Sequence, residues 1–365
     1  MSLLFMDGFD AEDILNKWTV VNSVSGTPTF TNSTRLNAGF AVTLPYGTTG
    51  GVYGVMKYFT PSTQVIVGAA IKSGIMLGQN WSPPFHVLTG DSGTTYHLYL
   101  VTTPTSALQL WRGDGHAPGS DGNGGRNPNG TMLAATAGGV MDTNWHYVEM
   151  SATLNASTGT VVVKVDGTQV INFTGNTKNG GTNTTFDGVG FFAMNFNSFI
   201  YTVVVGSPTV DDYYVCNSSG SVNNTFLGDV RVQTLVPNGA GSSTQFAPTG
   251  SGTNYLNVNE VPDNTSTYNS SSTVGQRDTY ALSDLTATTG QVFGVQQATT
   301  AYKPDSGAAN LKAAQKSGAT VSYGATRSLA TGSTTYVDLF ETNPATGLAY
   351  TPTEVNSLES GAEIA

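Results

Sequence analysis

Between Asn144 and Phe173 the chain reads NWHYVEMSATLNASTGTVVVKVDGTQVINF, and this stretch constrains the fold more than any other. Val148, Met150, Ala152 and Leu154 fall on one side of an extended backbone, with Tyr147, Glu149, Ser151 and Thr153 on the other. That period of two marks a strand with one buried face. Past a loop through Ser157, Thr158 and Gly159, a second alternation sets Val161, Val163 and Val165 inward and Lys164 outward. Asp166-Gly167 then offers the positive φ angles of a two-residue hairpin, and Val170 to Phe173 returns as a third strand. The stretch predicts a three-strand antiparallel meander with one apolar face. Such a face must close on a second sheet.

Composition agrees with an all-β chain. Charged residues make up 10% of the 365, against about 25% in ordinary globular proteins. Hydrophobic residues at 38% still suffice for packed cores, while 44 glycines and abundant Ser, Thr and Asn supply turns and neutral, hydrated strand faces. Disorder is disfavoured, because 16 Tyr, 16 Phe and many Val recur at strand spacing. A net charge of −10 and a thin scatter of 14 Lys and Arg leave no basic face for nucleic acid. No run approaches the roughly 18 apolar residues of a membrane-spanning helix, so no membrane partner is expected. The start, MSLLFMDGFDAED, carries no basic leader, and the expectation is synthesis in a cytoplasm without export by the usual route. Cys216 is the only cysteine, so no internal disulfide can form.

Taken in order, strands are expected at 3–9, 18–24, 52–59, 64–72, 85–90, 95–102 and 106–111, with at most a turn of helix at 10–15. Strands spaced this closely, with turn signals between them, argue for a sandwich. Arg112 to Thr131, RGDGHAPGSDGNGGRNPNGT, is expected as one long loop. After the meander, strands at 188–195, 199–205 and 209–216 complete a first domain spanning 1–217. Residues 218–225 read as a linker, and 226–365 as a second, smaller β-sandwich. Its strands are expected at 228–236, 253–260, 278–282, 291–302, 308–316, 319–323 and 334–341, with Gly/Ser/Thr-rich connections at 238–252 and 262–276. The chain ends in a short helix with Thr351 as N-cap, Pro352 at its first position and Glu354 in its first turn.

Two resemblances follow from particular residues. The Trp145-His146 opening, the alternation from Val148 to Ala152 and the turn Val163 to Gly167 resemble the laminin-G, pentraxin and concanavalin-A-like lectin superfamily. The resemblance covers about the first three-fifths of the chain and implies a jelly-roll sandwich, in which the strands 3–9 and 209–216 pair. It also implies a structural Ca²⁺ between first and last strands, with Asp7 and Asp212 at the ligand positions. The alternative is that both acids are solvated ends of paired strands. Secondly, SLLFMDGFD with Trp18, the joint DDYYVCNSSGSVNNTFLGDVRVQTL and the ending ETNPATGLAYTPTEVNSLESGAE are similar to a group of structural proteins of tailed-bacteriophage virions. That similarity implies a place on the virion surface, as head decoration or in a tail or fibre, after synthesis in a bacterial host. Other virion proteins would be its partners, and a closed homo-oligomer is expected, with a trimer favoured.

The chemistry-bearing residues are sparse. Glycan hydrolysis needs two carboxylates facing each other across a cleft, usually along one strand as E-x-D-x-E in this fold; here Glu149 is followed on its face by Ser151. No G-x-S-x-G elbow is present, and His86, His97, His116 and His146 lack metal-ligand spacing. Sugar binding needs an aromatic platform beside hydrogen-bonding groups. Trp111, with Arg112 and His116 nearby, and Trp81 ahead of Pro83-Pro84 are the candidates, whereas Trp18 and Trp145 fit core or sheet-edge packing. The expected function is therefore a non-enzymatic virion surface component. A carbohydrate-binding adhesin for host-surface glycans is the alternative, and a glycan hydrolase the second alternative.

Overall fold

The computed structural model describes residues 1–11, 14–21, 26–32, 35, 39–45, 51–73, 82–114, 119–120, 126–195 and 207–365. The chain separates into two compact units, Met1–Asp10 with Trp18–Val232, and Ala11–Lys17 with Gln233–Ala365. Residues 218–225, expected as a linker, and 226–232, expected to open the second domain, both fall in the first unit.

Two large antiparallel sheets build the first unit, and a two-stranded ribbon, Gly119–Ser120 with Arg126–Asn127, lies within the stretch expected as one long loop. The eight-stranded one runs in the order Thr168–Gly175, Gly159–Val165, Trp145–Thr153, Gln64–Lys72, Thr209–Cys216, Phe40–Thr43, Thr29–Asn32, with Leu3–Asp7 also paired to Thr209–Cys216. The meander read from the sequence forms its edge, in register from Val148↔Val165 to Ala152↔Val161. First and last strands pair as expected, from Leu3↔Cys216 to Asp7↔Tyr213. The seven-stranded sheet runs Thr131–Ala135, Leu108–Arg112, Thr95–Thr102, Phe85–Gly90, Phe186–Asn195, Gly51–Ser62, Thr19–Val21. Together they make a lectin-like jelly roll. Thr29–Asn32, Phe40–Thr43 and Thr131–Ala135 are strands the sequence did not announce, each only four or five residues long. The strand expected at 199–205 lies outside the described residues.

Between the sheets sits an aromatic cluster around Trp18. Its ring meets Phe5, Phe191 and Tyr213 edge-on, with centroids 5.2, 5.5 and 5.1 Å away. Pairs of this geometry add about 0.5–1.5 kcal/mol each beyond the area they bury. The Trp18 indole N–H donates to Asp7 Oδ2 at 2.8 Å, and the Phe9 amide to Asp7 Oδ1 at 3.0 Å.

His86 lies in the same layer, wholly buried, and its Nε2 donates to the Val148 carbonyl at 2.9 Å, joining one sheet to the other. Burial lowers its pKa to about 4, and the bond to Val148 opposes the shift only in part. An unfolded histidine titrates near 6.5, so between these values the unfolded chain binds the extra proton. The first unit should hold full stability above pH 6.5 and lose up to about 3 kcal/mol as pH falls towards 4. Denaturant melts at a series of pH values check this, and a His86→Leu variant should flatten that part of the profile.

The outward face of the eight-stranded sheet is closed to water over its middle strands, while its edge at Thr160, Asn172 and Thr174 stays exposed. Tyr147, Glu149 and Tyr214 point outward yet are buried, because residues 226–232 lie across them as a strap. The Gly228 amide and the Tyr214 hydroxyl donate to Glu149 Oε1 at 2.9 and 2.5 Å. The Leu227 amide donates to the Tyr214 oxygen at 3.2 Å, and the Val232 amide to Asp212 Oδ1 at 2.7 Å. Arg35, stacked over the Tyr147 ring at 5.0 Å, pairs with Asp212 and Asp229. Lys164 places its ammonium 4.5 Å from the centre of the Phe226 ring. Gly68 admits the arrangement: a Cβ there would stand 2.2 Å from the Tyr214 ring. The strand expected at 228–236 is thus no strand up to Val236, since amides at Gly228 and Val232 bond to side-chain acceptors of the sheet rather than to a neighbouring strand. Glu149→Ala would leave the buried Tyr214 hydroxyl and the half-buried Gly228 amide without that acceptor. It should cost the first unit about 2–4 kcal/mol in chemical denaturation, with Glu149→Gln recovering part of the loss.

In the second unit a six-stranded sheet orders Pro237–Thr244, Arg277–Leu282, Glu359–Ile364, Asn310–Ser317 and Thr320–Tyr323, with Arg327–Ser328 beside Asn310–Ser317. A ribbon of Val295–Ala301 and Thr334–Phe340 is tied to it by Gln297 Nε2, which donates to the Gly361 carbonyl at 2.6 Å. The interior mixes a small apolar cluster, Phe340, Tyr350, Val355 and Leu358, with buried polar groups. Asp278, fully buried, accepts from the Phe246 amide, the Asn254 side chain and the Tyr280 hydroxyl at 2.8, 2.5 and 3.1 Å. The helix Pro352–Val355 carries the expected cap, with Thr351 and Glu354 forming a reciprocal capping box. It does not end the chain's structure: Glu359–Ile364 continues as a strand inside the sheet. Pro237–Thr244, expected as a connection, is an edge strand, and 253–260 holds only the 3₁₀ turn Asn254–Asn257.

Candidate functional site

With one outer face of the sandwich strapped, the other belongs to the seven-stranded sheet. Register fixes which side chains share it. Met56 stands opposite Gly190, Gly54 opposite Phe192 and Tyr58 opposite Gly188. Thr89 faces Tyr96, Tyr99 faces Trp111, and Trp111 faces Met132. Met56, Val87, Tyr99, Val101 and Phe192 form a buried apolar layer, against which Val21, Tyr96 and Trp111 pack while partly exposed. Tyr58 is 37% exposed and Met132 49%. Aromatic rings seated on a packed layer keep their orientation without a ligand to order them.

The edge of this face is built with local strain. Asp91, Ser92 and Gly93 all have positive φ, at 55°, 58° and 78°. The Asp187 carboxylate holds the turn by accepting from the Ser92 and Gly93 amides at 2.5 and 3.3 Å. Only glycine fits at 93, where a Cβ would stand 2.4 Å from the Tyr58 hydroxyl. A register shift in the neighbouring ladder then brings Tyr96 to the face that Tyr99 already occupies. Beyond Arg112, the Gly113 amide donates to the His97 carbonyl at 3.1 Å, which carries Asp114 alongside Tyr96.

Burial, then the nearby Tyr58 and Asp114, pushes the Tyr96 phenol up to about 12. Burial and Asp114 raise Tyr99 further, and its hydroxyl donates to the Asn129 carbonyl at 2.7 Å. Tyr58 is raised by burial and by Asp187. At neutral pH these phenols are therefore protonated hydroxyls. Trp111 is fixed in rotation by its indole N–H, which donates to Gln109 Oε1 at 2.9 Å.

Of the sugar-site candidates, Trp111 lies on this face and Arg112 does not. Register sets Arg112 opposite Leu98, on the core-facing side, and its guanidinium donates to the Asn176 carbonyl and the Thr131 hydroxyl at 3.2 and 3.4 Å. Trp81 and His116 lie outside the described residues. Asp7 and Asp212, the calcium candidates, hold Trp18 and Phe9 in one case, and Arg35 and Val232 in the other. Among the described residues no group of three or more His, Cys, Asp or Glu side chains is placed to bind a metal ion. Tyr58 and Tyr96 were not singled out from the sequence, and Asp114 was read there only as a weaker calcium candidate with Asp121, set against a flexible glycine-rich loop. Tyr58 follows Met56 at strand spacing and could have been read, but Tyr96 reaches the face through an irregular register that no alternation announces.

No family model and no curated protein matches this chain. Solved structures resemble it in part. The cellulose-induced protein Cip1 is 16% identical, with 58% of this chain and 96% of that one covered and a TM-score of 0.38. For the metal-free carbohydrate recognition domain of Emp46p the values are 10%, 56%, 90% and 0.37. For the alginate lyase Aly36B they are 12%, 59%, 92% and 0.36. Similarity at this level carries no chemistry from those proteins to this one.

Proposed function

We propose that the first unit is a non-enzymatic carbohydrate-binding domain whose binding surface is the face bearing Tyr58, Tyr96, Trp111 and Asp114. The observation that carries this is three partly exposed aromatic side chains on one sheet face, seated on a buried apolar layer beside a carboxylate and an amide. A sugar presents an apolar C–H face and a rim of hydroxyls, and such a surface offers a ring for the first and polar atoms for the second. Rings already held in place lose little freedom on binding. The non-enzymatic part rests on Glu149, the acid the sequence offered for glycan cleavage, which lies on the other sheet and is taken up by Tyr214 and Gly228.

Trp111→Ala should weaken glycan binding at least tenfold, an amount of the order of one lost aromatic contact. Calorimetry with the best glycan from an array of the intact chain measures this, with circular dichroism as the control for folding. Unchanged affinity in a folded variant would contradict the reading.

A virion surface, with other virion proteins and further copies of the chain as partners, is the setting we propose for this binding. It is supported by the sequence similarity of the joint, which holds both the strap residues Leu227 to Val232 and the strand residues Asp212 and Tyr214 that they bond to. Mass spectrometry of purified particles tests it, and absence of the chain from them would remove it.

A further inference from the structure

We infer that this face selects neutral, hydroxyl-rich glycans and rejects those bearing carboxylates, such as uronates and sialic acids. The inference rests on the carbohydrate-binding reading above and adds the substrate class. Recognition of a sugar carboxylate calls for a guanidinium or an ammonium, Arg in particular for its bidentate fork. Along the strands of this face, from Met132 through Trp111, Tyr96 and Met56 to Val21, no described position set by register is cationic.

The two cations nearest in sequence are turned away. Arg112 donates to Asn176 and Thr131 from the core-facing side. Lys57, between Met56 and Tyr58, places its ammonium 4.3 Å from the centre of the Phe5 ring, again on the core side. Among the described residues, the charge that acts on the phenols of this face is negative. Asp114 lies close enough to Tyr96 and Tyr99 to raise both phenols, and Asp187 does the same to Tyr58. A ligand carboxylate would meet like charge there, which disfavours the wrong partner. A neutral sugar meets complementary groups instead: its hydroxyls donate to the Asp114 carboxylate and accept from the partly exposed Tyr58 and Tyr96 phenols. The net charge of −10 adds a repulsive field of the same sign.

The test uses the intact chain on an array pairing neutral polysaccharide fragments (glucans, galactans, mannans) with acidic ones (alginate, polygalacturonate, sialylated glycans), repeated at low and high salt. The expected result is binding to neutral glycans that changes less than about twofold with salt. Asp114→Asn should lower that affinity roughly tenfold, as expected for losing a hydrogen bond to a charged group. Preference for acidic glycans, weakening as salt rises, would overturn the inference and leave the carbohydrate reading standing. Neutral binding indifferent to both Asp114→Asn and Trp111→Ala would overturn it by placing the site elsewhere. Failure of the folded protein to bind either class would remove the reading itself.

Discussion

A single carboxylate, Glu149, anchors the segment that covers the middle of one outer face of the first sandwich. It is buried on the outward face of its strand and accepts from Tyr214 and from Gly228 of the strap. A buried carboxylate is costly unless its lone pairs are met by donors, and here the donors come from the chain's own residues 214–232. The polar pattern that would ordinarily mark a solvated strand face therefore marks a covered one. Asp212 and Arg35 repeat the logic further along the strap. With the middle of that side covered, Tyr58, Tyr96 and Trp111 stand partly exposed on the seven-stranded sheet.

The two outer faces are opposite solutions to one problem. A sheet outside the core either shows polar side chains to water or is covered. On the strapped side, charged and hydroxyl groups bind backbone amides of the covering segment. On the other, an apolar layer carries half-exposed aromatics at its margin, where the strained turn at Asp91 to Gly93 and the Asp187 carboxylate set Tyr58 and Tyr96. The second unit extends the theme inward. Asp278, Gln297 and Gln315 occupy interior positions that apolar residues fill elsewhere, each specified by directed hydrogen bonds.

What the sequence disclosed follows from how local each signal is. The meander of 144–173 needs only alternation and a D-G turn, and it formed, with an irregularity at Val170 that the alternation does not announce. The pairing of Leu3–Asp7 with Thr209–Cys216 came from the family resemblance, since no local pattern links residues over 200 positions apart. The F-L-G-D-V-R-V segment misled because its alternation satisfies a strap as well as a strand. Only the long-range acceptors Glu149 and Asp212 distinguish the two. Glu359–Ile364 was hidden by Gly361 and by charges on alternate positions, which pair with Lys312 and Lys316 across the sheet. At the site, Trp111 was legible as an aromatic, but its separation from Arg112 is a fact of register, and Tyr96 depends on an irregularity in the ladder.

Closure of the Glu149 face by the strap is the claim on which the placing of the site depends, and amide hydrogen exchange on the intact chain measures it directly. The amides of Gly228 and Val232 should exchange as slowly as those of the strand Trp145–Thr153 beneath them, despite lying in a segment with no regular secondary structure. Exchange at the rate of an open loop would show that the strap does not hold, and that the outward face of the eight-stranded sheet is as available to a ligand as the other.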